Sequence, residues 1–259
     1  MLALLALAIS AFGIGTAEFI SVGLLSSVAD DLSISVTMAA LTVSLYALGA
    51  TIGAPILTAI TSSTPRKTLM LLLLVVFVLG NSVAAISTNS TMLLVARIIT
   101  ALSHGVFMSI GATLAASLVP ENKRASAIAI MFTGLTVATI TGVPIGTFLG
   151  QLYGWRFAFV GIAVIGVISL IANSILIPSK LTKGAPASLS DIFKLVSNGR
   201  LLLVFIITAL GYGGTFVVFT YLAPLLGDVM HLNEKSVSFG FTRIWYCNCY
   251  WKHSWGESF

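Results

Sequence analysis

The sequence predicts an all-α membrane protein. Two observations carry this: 58% of the 259 residues are hydrophobic and 8% are charged, against about 25% charged in soluble domains; and uncharged apolar runs of about 20 residues, the length that crosses a bilayer core, recur down the chain. A third is punctuation, because polar or turn-forming breaks such as Ser62–Pro65 and Pro120–Arg124 separate the runs.

Seven spans follow in order: Leu2–Ser26, Val36–Ile60, Thr68–Ile86, Met92–Val119, Ala125–Leu152, Phe157–Ile177 and Leu201–Leu226. Met1 runs straight into a full span, without the charged start and short apolar core of a cleaved signal, so the first helix is expected to stay. Loops after spans two, four and six hold Arg66, Lys67, Lys123, Arg124, Lys180, Lys183, Lys194 and Arg200, while the other face holds Arg156 and Lys235. This bias places the basic loops and the amino terminus in the cytoplasm. The net charge of +5 therefore reflects topology, and no nucleic-acid partner is expected.

Four segments are expected: a six-helix bundle over 1–178, a cytoplasmic linker over 179–200, the start of a second bundle over 201–238, and a separate tail over 239–259. In the linker, Leu189, Ile192, Phe193 and Val196 fall at helical spacing behind Ser188, which suits a short helix on the membrane surface. A shift of 198 positions aligns Gly13, Gly15, Leu24 and Asp30 with Gly211, Gly213, Leu222 and Asp228. Transporters built from two parallel halves show such a repeat.

Glu18 stands about 24 Å into the first span at 1.5 Å per residue. A carboxylate at that depth is costly and commonly marks an ion or proton path. Arg97 in the fourth span lies at nearly the same depth, so the two can pair, as a proton-coupling site or as a structural ion pair. His104, seven residues on and near the same stripe, is a candidate for the substrate cavity, or a neutral histidine bonded to a neighbouring helix. The fifth span reads "GLTVATITGVPIGTFLG". Gly142, Gly146 and Gly150 form a smooth face, Gly134 lies further back, and Pro144 permits a bend, a combination that suits gating and close helix packing.

At these residues the chain resembles the major facilitator superfamily, and within it the twelve-helix drug:proton antiporters of bacteria. "GTAEF", "ARIITALSHG", the fifth-span motif and "GWRFAF" at Gly154–Phe159 carry the likeness. The cytoplasmic gate loop of that family is matched by Arg66 and Lys67, with Ser62 where an aspartate is usual, as in branches exporting purines, nucleosides or sugars. The resemblance implies a proton-coupled exporter of small solutes in the bacterial inner membrane. It would be a monomer in the lipid bilayer, with small-molecule substrate and protons as partners. Neither cofactor nor metal is expected, and no nucleotide-binding loop or nucleophile–base pair points to an enzyme. A membrane receptor or enzyme is the remote alternative.

The tail from Phe239 breaks with everything before it, holding both cysteines and three of the four tryptophans. Cys247, Cys249 and His253 are weak evidence for a metal site. Trp has the single codon TGG, so a frame shifted by one base reads Trp245, Trp251 and Trp255 as glycines, with apolar residues between the first two. The tail is therefore expected to be a frameshifted eighth helix, whose hidden glycines would pack on the fifth; the 259-residue product is then expected to be inactive and unstable in the membrane, and the alternative to a working exporter is a non-functional fragment of one.

Overall fold

The computed structural model describes residues 1–178 and 197–228. Among these, all regular structure is helical. The helices are α1 (Leu2–Gly23), α2 (Leu25–Asp31), α3 (Val36–Ile60), α4 (Arg66–Ala85), α5 (Ser90–Ser117), α6 (Arg124–Val137), α7 (Val143–Tyr153), α8 (Trp155–Leu176) and α9 (Gly199–Asp228). Among the described residues, six stretches are long and apolar enough to cross a membrane, with α6 and α7 joined in one of them over Glu121–Tyr153. The expected surface helix at 189–196 and the whole tail lie outside the described residues.

The ends of the spans have local causes. Ser35 and Asn89 accept the main-chain N–H groups of Met38 and Met92 and so cap α3 and α5. Leu24, at φ −110° and ψ 6°, breaks the first predicted span, and the chain continues as the short α2. Gly154 turns α7 into α8 at φ +93°, a backbone conformation that glycine adopts without a steric penalty.

Helix α1 is central, buried along most of its length and packed against α3, α5, α6, α7 and α8. Around it the neighbour pairs run α3–α5, α5–α4, α4–α8 and α8–α1, with α6 and α7 against the other side of α1. Lipid offers no hydrophobic contrast, so helices associate through close fit, and small residues allow it. On the α3–α5 seam, a Cβ on Gly105 would lie 2.6 Å from Ala54 Cβ and 2.8 Å from the Ala50 carbonyl oxygen.

The fifth predicted span is interrupted by a π-turn at Ala138–Gly142, where Val143 N–H donates to the Ala138 carbonyl. Pro144 has no N–H to offer Ile140, one turn back, and the widened turn accommodates that missing donor. The glycine face beside it meets α1. A Cβ on Gly134 would strike the carbonyl of Ala8, one on Gly142 would strike Thr16 Oγ1, and Gly146 and Gly150 lie over Ile20 and Leu24. The first helix thus lies on this face, and the expected eighth helix falls outside the described residues.

Candidate functional site

Away from their terminal turns, the six spans contain four ionisable side chains: Glu18, Tyr46, Arg97 and His104. They come from α1, α3 and α5, and the packing brings all four together. Arg97 is completely buried. Its guanidinium lies 4.1 Å from the centre of the Tyr46 ring, a cation–π contact in a dry site. Its donors go to main chain: Nη1 to the Ala17 carbonyl at 2.7 Å, Nη2 to the Glu18 carbonyl at 3.3 Å, and Nε to the Thr42 carbonyl at 3.3 Å. One side chain thereby ties α5 to α1 and α3.

The expected carboxylate–guanidinium pair is accordingly corrected. Depth along the helix put Glu18 and Arg97 level, but the Arg97 fork is occupied by carbonyls. Glu18 Oε2 instead lies 4.0 Å from His104 Nε2, with the two side chains 27% and 13% exposed. His104 Nδ1 is 3.1 Å from the Tyr46 hydroxyl, so His104 is bonded to a neighbouring helix and faces the acid at once. The cluster thus has a sealed cationic floor and an accessible acid–imidazole rim. That arrangement can hold or release a proton at the rim while Arg97 stays charged below it. Sequence reasoning missed Tyr46, which looked like an ordinary aromatic; the available signal was that it is the sole ionisable side chain inside its span.

The two ends of the bundle carry their own polar contacts. At the basic end, Lys67 Nζ donates to the carbonyls of Ser174 at 2.7 Å and Ile177 at 2.6 Å, which fastens the start of α4 to the carboxyl end of α8. Arg66 beside it is half-buried. At the opposite end Asp31 accepts from Arg156 Nη1 at 2.6 Å and from Trp155 Nε1 at 3.1 Å, while Arg156 Nε reaches the Ser87 carbonyl at 2.9 Å. The Arg156 hydrogen bond, with that of Trp155, holds the Asp31 carboxyl below the usual carboxylate range. The sequence "GWRFAF" therefore builds a clasp joining α2, the α4–α5 turn and α8. The glycines Gly134, Gly142, Gly146 and Gly150 lie along the α1 contact, apart from this charged cluster, and Pro144 opens α7 just after the π-turn.

Comparisons with known proteins bear on the family and the fold. The chain is 67% identical over 236 residues to the uncharacterized MFS-type transporter YtbD of Bacillus subtilis, covering 91% of this chain and 60% of that protein. It is 41% identical over 235 residues to the inner membrane transport protein YdhP of Escherichia coli, again covering 91% and 60%. The chain therefore spans about 60% of the length of these curated relatives. A bacterial homologue of the human lysosomal transporter Spinster, solved in an inward-facing and unoccupied conformation, shares the fold with a TM-score of 0.69 at 18% identity, over 93% of this chain and 57% of that one. A sequence profile described as Major Facilitator Superfamily matches residues 7–246, and the chain belongs to that superfamily.

Proposed function

We propose that this chain carries the proton-coupling half of a secondary transporter that exports small solutes across the bacterial inner membrane by antiport. The observation that carries the reading is the rim of the cluster: Glu18, the one carboxylate away from the terminal turns of the six spans, is partly exposed and faces His104 above a fixed, buried Arg97. An acid so placed is costly to keep charged in lipid and is loaded cheaply by a proton. Drugs, purines, nucleosides and sugars are the solute classes of the branch that the motifs resemble, and the name of YdhP supports an inner-membrane setting.

The basic face bearing Arg66, Lys67, Lys123 and Arg124 is assigned to the cytoplasm, with the amino terminus on that side. Residues 1–178 form the first bundle in this reading, 179–200 the linker, 201–238 the start of a second bundle, and 239–259 a frameshifted segment. Reading the gene in the alternative frame tests the last part, which fails if no open apolar span continues there.

The experiment for the function uses everted membrane vesicles holding an intact form of the transporter and a panel of fluorescent drugs, purine nucleosides and pentoses. Accumulation of at least one panel member, abolished when the pH gradient is collapsed, is the expected result. Accumulation that survives collapse of the gradient overturns the proton coupling.

A further inference from the structure

We infer that Tyr46 is a positioning residue: it fixes the tautomer of His104 so that Nε2–H faces Glu18, which makes Glu18 the sole proton carrier of the pair. The significance of this inference rests on the proton-coupling reading above, but its geometry does not.

Tyr46 is buried, and its ring is held under the Arg97 guanidinium. Among the described residues, its hydroxyl is hydrogen-bonded to His104 Nδ1, at 3.1 Å. A phenol has one O–H, and a neutral imidazole has one N–H and one bare nitrogen. If the imidazole proton sat on Nδ1, the phenol oxygen would have to accept, and its own O–H would be left buried without a partner. With the proton on Nε2, the phenol donates to Nδ1 and every polar hydrogen is directed at an acceptor. Nε2–H then faces Glu18 Oε2 across 4.0 Å, about 1 Å outside hydrogen-bond contact. A small rotamer adjustment of the partly exposed glutamate closes it.

An imidazolium is opposed on its Nδ1 side by the Tyr46 O–H and by the charge of Arg97, against the Glu18 carboxylate that faces Nε2. It would turn two N–H donors outward, one of them against the Tyr46 O–H, close to the permanent charge of Arg97. Among the described residues, the groups facing Glu18 are Arg97 and His104 from α5 and Tyr46 from α3; the interiors of α4, α6, α7 and α8 contribute no ionisable residue, and α9, which also touches α1, carries Tyr212 and Tyr221 in sequence. A proton entering the site therefore forms an O–H bond on Glu18, and His104 keeps its single N–H throughout. In the unloaded state the cluster is neutral, Glu18 balancing Arg97, with Nε2–H supporting the carboxylate.

The test is nitrogen NMR of the full chain, 15N-labelled at histidine, in lipid nanodiscs, with the His104 signals identified by their loss in His104→Gln. The parent should show one protonated Nε2 and one bare Nδ1 across about pH 5 to 8, the range in which histidine ordinarily titrates. Glu18→Gln should keep that pattern, because Tyr46 sets it. Tyr46→Phe should lose it, giving mixed tautomers or Nδ1–H, with unchanged helical circular dichroism. A parent ring that is protonated on Nδ1 or on both nitrogens overturns the inference even if Tyr46→Phe does not fold. So does a pattern that Glu18→Gln destroys or that folded Tyr46→Phe retains. No transport enters this readout, so its failure is separate from failure of the export assay.

Discussion

Arg97 holds Glu18 by its main chain, Nη2 donating to the Glu18 carbonyl, while the carboxylate of the same residue turns to His104. The two residues therefore do different work. Removing Arg97 takes a charged donor from the carbonyls of Ala17, Glu18 and Thr42, which keep their helical N–H partners; a hydrogen bond to a charged group contributes about 1.5–3 kcal/mol. Arg97→Ala should lower stability by roughly 3 kcal/mol or more, and Arg97→Lys should recover only part of it, because an ammonium lacks the planar fork. Thermal unfolding in detergent reads both. If Arg97→Ala melts with the parent, the three-helix staple is not a stabilising contact.

Along the α1 seam, glycine positions should differ in tolerance according to what they touch. Gly134 abuts the Ala8 carbonyl, which is main chain and cannot move aside, whereas Gly146 abuts the flexible end of Ile20. Gly134→Ala should therefore destabilise more than Gly146→Ala, by about 1–3 kcal/mol as overpacking. Gly146→Leu should impair folding or gating while Leu at the exposed Val137 is tolerated. Melting temperatures of the four variants check this, and equal values would mean that the seam is loose.

Lys67 should act as a cap on α8. Its ammonium meets the carbonyls of Ser174 and Ile177, the end of a helix where a cation is stabilising by about 0.3–1 kcal/mol. Lys67→Met should lose about that much, and Lys67→Arg should keep most of it. Hydrogen exchange in the last turn of α8 is the sensitive measurement, and unchanged protection in Lys67→Met contradicts the assignment.

The Asp31 clasp should depend on pH in one direction. Its carboxyl is held below the ordinary value by Arg156 and Trp155, so folding gains stability above the unfolded value of about 3.9. That gain is lost as the pH falls through the lower folded value. Both partners are partly exposed, and the gain is about 1 kcal/mol or less. Asp31→Asn should flatten the acid limb of the melting curve against pH, and an unchanged limb would mean that the clasp contributes nothing.

Much of the fold was legible because lipid imposes length and polarity on each span, and α3 to α5 begin and end within two residues of the predicted runs. The break at Leu24 was not, since a tilt after Gly23 leaves the apolar pattern intact. Glu18, Arg97 and His104 stood out because ionisable side chains are rare in such runs. Their partners were not readable from depth alone: depth sets the level of a side chain and leaves its direction open, so Arg97 was paired with the wrong part of Glu18. The glycine face was visible in the fifth span, but a smooth face does not name its partner, and α1 carried no pattern that claimed it.

The central claim is that Glu18 carries the coupled proton. Its most direct test is proton movement into proteoliposomes containing an intact form of the transporter, monitored with an internal pH dye, when an outward gradient is imposed of any panel solute that passes the vesicle assay. The account predicts solute-driven proton movement with the parent and none with Glu18→Gln, although that variant inserts and melts like the parent. Proton movement at the parental rate in Glu18→Gln would contradict it.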